Sequence, residues 1–184
     1  MPAVLSTMIE LGTPCPPFSL PATTGKGVSR DDATGPAGLL VVFMCNHCPY
    51  VVHIREELAR LGRECAALGV GMVGINSNDA DAYPDDSPEK MAEESDAAGY
   101  TFSYLFDATQ DVARAFSAQC TPDFFLYGAD GGLFYRGQLD ESRPGSGVEV
   151  TGEDLRNAIN AMVAGEDSPE DQKPSLGCSI KWKA

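Results

Sequence analysis

The sequence is short of basic residues. Its 184 residues hold 13 Lys and Arg against 27 Asp and Glu, a formal net charge of -14. The longest basic cluster is Lys181-Trp182-Lys183, well below the clustered Lys/Arg of a nucleic-acid footprint, so no nucleic-acid partner is expected. Long apolar runs are also missing. None approaches the roughly 20 residues that cross a bilayer, so no membrane partner is expected. Met1 to Glu10 lacks a basic stretch followed by an apolar one. No secretory signal is read there, and the expected compartment is the cytoplasm. Cysteines number 6, too few for a disulfide-built scaffold. A second CxxC and a spaced His pair are both absent, which leaves little material for a zinc site.

What remains is an ordinary globular composition, 43% hydrophobic and 22% charged, which excludes disorder over the whole chain. The length suits one domain with a short extra element. Gly12 to Phe18 is too proline-rich for a helix and reads as an extended entry. Leu39 to Met44 is a continuous apolar run of strand length, which predicts a buried central strand. Val51, Ile54, Leu58, Leu61 and Cys65 then fall at helical spacing, and Gly69 ends that helix. Val70 to Ile75 is a second strand. Asn78 to Ser87, with its four Asp, reads as a solvated loop rather than a calcium loop, because the twelve-residue ligand order is missing.

Pro88 at the first helical position opens a helix over Glu89 to Ala98. Strands are expected at Tyr100 to Phe106, Asp123 to Tyr127 and Leu133 to Leu139, the last two joined by a turn at Asp130-Gly131-Gly132. Helices are expected at Gln110 to Ser117 and from Thr151 to about Val163. Gly165 to Lys173 is acidic and polar and reads as a linker or tail. Alternating strands and helices predict an α/β layer fold.

The chemistry concentrates at Cys45-Asn46-His47-Cys48, placed where the apolar strand meets the following helix. A helix N-terminus favours a nearby thiolate, and the thiolate is the nucleophile of thiol chemistry. Two cysteines at this spacing let the second resolve a mixed disulfide formed by the first, in an intramolecular step. On this reading Cys45 attacks and Cys48 resolves, while Asn46 and His47 tune the thiolate. A positive charge or a donor on His47 is expected to make the disulfide more oxidising. The same residues also admit an incidental buried pair, or a metal site in which Cys45, His47 and Cys48 take a fourth ligand from Cys120, Cys178 or His53.

Several stretches together resemble the thioredoxin-fold superfamily, in particular peroxiredoxin-like proteins of the AhpC/TSA group that carry a CxxC. Gly12-x-x-Cys15-Pro16-x-Phe18-x-Leu20 is similar to the group's entry motif, with Cys15 in place of a small Ala. Val41 to Val51 resembles the active-site segment, and Cys120-Thr121-Pro122-Asp123-Phe124-Phe125-Leu126 resembles the loop that holds a cis-proline against the redox pair. Tyr135-Arg136-Gly137 and Pro174 to Lys183 resemble the same subgroup. The resemblance implies a thioredoxin-like domain over 1–164, with an N-terminal extension, a central mixed β-sheet flanked by helices, and a C-terminal tail, 165–184, packing on it. It implies that Thr121 and cis-Pro122 shape the substrate groove.

The peroxiredoxin motif Pro-x-x-x-Thr/Ser-x-x-Cys would place the peroxidatic cysteine at Cys48. Cys45 then replaces the hydroxyl residue and Val41 the proline, which points away from peroxide reduction and toward disulfide exchange. Arg114 and Arg136 are candidates for the group's distant arginine. The buried carboxylate expected beside the resolving cysteine has no obvious candidate.

The expected function is thus thiol-disulfide oxidoreduction by the Cys45/Cys48 pair, with no bound organic cofactor. Its partners would be a protein or small-molecule disulfide and an upstream thiol reductant. A thiol peroxidase using Cys48 and a copper or zinc carrier using Cys45, His47 and Cys48 are the alternatives. Cys120 and Cys178 are candidates for a third redox cysteine, with a disulfide from Cys178 to Cys15 or Cys120 as one form. Trp182 is expected to anchor the tail on an apolar patch. Cys65 falls on the apolar helix face and is expected in the core, and His53 on a solvated helix face.

Overall fold

A computed structural model describes residues 3–184. Ten strands and six helices follow in chain order. They are β1 (Ala3–Leu5), β2 (Ser19–Pro21), β3 (Gly27–Ser29), α1 (Arg30–Ala33), β4 (Gly38–Phe43), α2 (Pro49–His53), α3 (Arg55–Ala67), β5 (Val70–Asn76), α4 (Pro88–Ala98), β6 (Ser103–Phe106), α5 (Asp111–Ala115), β7 (Cys120–Thr121), β8 (Asp123–Gly128), β9 (Leu133–Gly137), α6 (Glu153–Ala164) and β10 (Leu176–Ser179). A short 3-10 turn spans Pro84–Asp86.

The centre is a mixed sheet flanked by helices, a thioredoxin-like fold. Strand β4 pairs antiparallel with β8, and β8 antiparallel with β9. Strands β5 and β6 pair in parallel, and the Met44 amide donates to Ile75 O (2.9 Å), tying the end of β4 to β5. Leu40 and Val42 of β4 enter one core; Leu39, Val41 and Phe43 enter the other. That split explains the uninterrupted apolar run, because a central strand buries both faces and each residue alternates between them. Each such side chain contributes about 1.5–3 kcal/mol through burial.

The helices obey their sequence signals at most ends. Ser87 caps α4 by accepting from the Lys90 amide, Pro88 follows at the first position, and Gly99 closes the helix in the left-handed region at φ 69. The single helix expected after Cys48 is instead two. Ile54, at φ -105 and ψ 9, separates α2 from α3. Helix α3 carries a buried acid, Glu57, paired with Arg60 at 2.8 Å and with Arg156 of α6, which joins the two helices across the core.

The C-terminal tail does more than lie on the domain. Strand β10 inserts between β1 and β7, antiparallel to both. Beyond it, buried polar groups hold the chain end. Asn78 Oδ1 accepts from the Lys181 amide at 2.8 Å, and Gln110 Nε2 donates to Lys181 O at 2.8 Å. Trp182 is not the anchor expected of it: it is exposed, with the Arg114 guanidinium 5.0 Å above its ring. Among the described residues no helix is long and apolar enough to cross a membrane.

Candidate active site

The segment joining β4 to α2 carries Cys45 to Cys48. Helix α2 begins at Pro49, so Cys48 is its N-cap residue and Cys45 lies ahead of the helix. The helix end thus falls at the second cysteine of the pair, not the first. The positive end of the dipole falls on Cys48. The Val51 N–H donates to Cys48 O at 3.0 Å, and the Cys45 and Cys178 thiols both lie near the Cys48 sulfur in one buried cluster. The hydrogen bond from Cys45 is the largest cause, and together these donors hold Cys48 well below the usual thiol range despite burial. The Thr121 carbonyl, 3.1 Å from Cys48 Sγ, accepts from the protonated form and works the other way.

Cys45 is pushed the opposite way. Its shared hydrogen bond with Cys48 raises it most, then burial, then the nearby Asp86 carboxylate. Thr121 Oγ1 lies 3.3 Å from Cys45 Sγ. The contact between the two thiols thus lowers Cys48 and raises Cys45. Both sulfurs are covered, at 1% exposure for Cys45 and 0% for Cys48.

Asp86 falls in the stretch that reads as a solvated loop, yet it is fully buried beside the pair. It accepts from the Asn46 amide and from Asn78 Nδ2, both at 2.8 Å. Its Oδ2 lies 2.7 Å from His47 Nδ1, off the direction of a formed hydrogen bond. The Pro84–Asp86 turn turns this acid inward, and only proline-bracketing (Pro84 before it, Pro88 after) hinted at an ordered segment. The carboxylate therefore stands at Cys45 rather than at Cys48.

Asn46 acts as a clamp. Its Nδ2 donates to Asp85 O at 2.8 Å and its Oδ1 accepts from Tyr104 OH at 3.0 Å. His47 stacks on Tyr83 with rings 4° apart and centroids at 5.4 Å. Asn46, His47, Asp85, Lys90 and Glu94 line a surface cavity of about 360 Å³ beside the pair. Ligand atoms of Cys45, His47 and Asp86 all lie within 4.8 Å of one another, so a metal at this place would use Asp86 rather than Cys48.

The Thr121–Pro122 bond is cis. The groove expected at Thr121 is nevertheless filled, because Cys178 of β10 pairs with Thr121 across the β7–β10 ladder. Gly177 makes this approach possible: a Cβ there would stand 2.1 Å from Thr121 O. A substrate strand would have to displace the chain's own C-terminal strand to pair at this edge.

The remaining candidates separate. Cys178 lies at Cys48, not at Cys15, which belongs to the core on the other sheet face. Cys120 is buried and its Sγ donates to Pro122 O at 3.6 Å; burial pushes its thiol up. Cys15 is pushed up to about 11 by burial. Arg114 sits on Trp182, and Arg136 donates to Ile9 O and to Gln172, so both are engaged away from the pair. His53 is half-buried rather than solvated, and its Nε2 has no hydrogen-bond partner.

The AhpC/TSA family model matches residues 11–136, which spans β2 to β9 and the redox segment. The chain belongs to the AhpC/TSA family. An uncharacterized conserved protein from Geobacillus kaustophilus is similar over the whole molecule, with 50% identity and a TM-score of 0.97, covering 100% of this chain and 97% of that one. A hypothetical protein from Sinorhizobium meliloti 1021 shares 47% identity with a TM-score of 0.96, covering 98% of each chain. The thioredoxin domain of a thiol-disulfide oxidoreductase from Bacteroides vulgatus is alike in fold, with a TM-score of 0.65 at 18% identity over 84% of this chain and 99% of that one. No curated protein matches the chain.

Proposed function

We propose that this AhpC/TSA-family protein is a thiol-disulfide oxidoreductase whose working pair is Cys45 and Cys48. One observation carries the reading: two cysteine sulfurs meet at the start of α2 against Thr121, whose Oγ1 lies 3.3 Å from Cys45 Sγ and whose carbonyl lies 3.1 Å from Cys48 Sγ. A thiolate beside a thiol is what disulfide exchange requires. The Cys48 thiolate attacks a substrate disulfide and releases one substrate thiolate. The Cys45 thiol then loses its proton and attacks Cys48 Sγ, which releases the second and leaves Cys45–Cys48 oxidised. The substrate is a protein or small-molecule disulfide, an upstream thiol reductant returns the two electrons, and the chain needs no organic cofactor for the step.

Both sulfurs are covered, so exchange includes displacement of a covering segment. Stopped-flow exchange of the reduced protein with oxidised glutathione tests this. Exchange at neutral pH that disappears in Cys48→Ala, with a Cys45–Cys48 disulfide as product, is the expected result. Reaction confined to peroxide, with no exchange, would move the assignment to the peroxidase reading.

A second reading rests on the convergence of Cys45, His47 and Asp86. A copper or zinc carrier would use these three. Zinc or copper(I) titration that protects Cys45 from alkylation, and fails to do so in Asp86→Asn, would favour it.

A further inference from the structure

The C-terminal strand brings a third thiol to the pair. Cys178 stands directly opposite Thr121 in the antiparallel β7–β10 ladder. Residues directly opposite in such a ladder project to the same face. Thr121 meets both working cysteines, through Oγ1 at 3.3 Å from Cys45 Sγ and through its carbonyl at 3.1 Å from Cys48 Sγ. The face that carries the Thr121 side chain to Cys45 thus carries Cys178 to the same place, in one buried cluster with Cys45 and Cys48. Strand β10 is held on both sides, by Ala3 of β1 and by Thr121. Gly177 lets it come this close. Cys178 is 5% exposed, the least covered of the three sulfur-bearing residues. Cys120, the neighbouring candidate, turns its thiol to Pro122 O instead.

We propose that Cys178 is a third redox thiol, which forms a disulfide with Cys48 by attacking the Cys45–Cys48 bond. The inference rests on the reading of Cys45 and Cys48 as the exchange pair. In the step, the Cys178 thiol gives up its proton and its sulfur bonds to Cys48 Sγ. The Cys45–Cys48 bond breaks, the electron pair leaves on Cys45, and Cys45 takes up a proton. No external oxidant or reductant enters. The oxidised protein then holds its two oxidising equivalents on the inner Cys48–Cys178 pair while Cys45 is free to meet another thiol or disulfide. Because β10 occupies the edge where a substrate strand would pair with Thr121, Cys178 stands in the position of a substrate cysteine, built into the chain.

Oxidised glutathione and the full chain provide the test. Arg30 and Arg55 are the basic residues that flank Cys45 and Cys48, and Cys178 lies on a separate stretch ending at Lys181. After trypsin, a Cys48–Cys178 bond joins two peptides, whereas a Cys45–Cys48 bond stays within one. In Cys45→Ser, Cys48 attacks oxidised glutathione and Cys178 displaces the second glutathione. The expected product is the cross-linked peptide pair, lost in Cys45→Ser/Cys178→Ser, which keeps glutathione on Cys48. A lasting glutathione adduct on Cys48 of Cys45→Ser, with Cys178 open to alkylation, overturns the proposal.

The oxidised wild-type protein provides a measurement free of the Cys45 change. A cross-linked fraction matched by alkylation of Cys45, both removed by Cys178→Ser, supports the proposal; a Cys45–Cys48 disulfide alone, at every glutathione ratio, overturns it while leaving the exchange reading intact. Failure of wild-type protein to form either disulfide would overturn both.

Discussion

Cys65 and Cys48 share one hydrophobic core, and each is 0% exposed. Their thiols are nevertheless driven in opposite directions. Cys65, on the inner face of α3, is pushed up to about 12 by burial and then by the charge of Glu64, with Arg156 pulling the other way. Cys48, at the start of α2, has the Cys45 and Cys178 thiols and the Val51 N–H beside it, and is drawn down. Burial disfavours the thiolate at both places. The difference comes from donors, and donors come from position: an unfinished helix end offers N–H groups, while a helix interior has already used its own. Solvent access therefore says little about which of six buried cysteines is reactive.

The largest expected contrast is in turnover. Cys48→Ala should lower disulfide exchange by on the order of 100-fold or more, because it removes the nucleophile. Cys65→Ala should leave turnover within about twofold and cost about 1 kcal/mol of stability. Parallel exchange rates and urea melts of the two variants check this, and equal losses of turnover would erase the contrast.

Next comes the support behind Cys48. Gly177→Ala should cost about 2 kcal/mol, as overpacking does, since the added Cβ meets the Thr121 carbonyl. Urea unfolding gives the number, and alkylation should show Cys178 becoming more reactive as β10 is pushed from Thr121.

Stability against pH sharpens the contrast further. In the reduced protein Cys48 lies below its ordinary 9.0, so its contribution is complete above pH 9.0 and fades as pH falls toward the folded value. Cys65 lies above 9.0, so its contribution is complete below pH 9.0 and fades as pH rises toward about 12. The gap in urea midpoint between wild type and Cys48→Ala should widen from about pH 6 to about pH 9, while the gap to Cys65→Ala stays level over that range. Parallel gaps would contradict the assignment of the thiolate to Cys48.

The smallest effect is expected at Cys45. Asp86→Asn keeps an acceptor for the Asn46 amide but removes the charge that raises Cys45. Alkylation of Cys45 at neutral pH should quicken roughly threefold to tenfold. An unchanged rate would mean that Asp86 positions the loop without acting on the thiol.

Much of this was legible in the chain itself. The apolar run of β4, the capped start of α4 and the CxxC between strand and helix follow from local rules of burial, capping and spacing, which act over a few residues. The adjacency of Cys45 and Cys48 is a sequence fact. What the sequence could not supply was which thiol receives the helix end, since a shift of three residues in where α2 begins moves the dipole from Cys45 to Cys48. It could not place Asp86 either, because an acid in a polar stretch looks solvated until Asn46 and Asn78 turn to meet it. Nor could it pair Cys178 with Cys48, 130 positions earlier in the numbering. That meeting exists only because β10 crosses back between β1 and β7. Local sequence determined the pair; the return of the distant strand, a matter of sheet topology and long-range packing, decided its company.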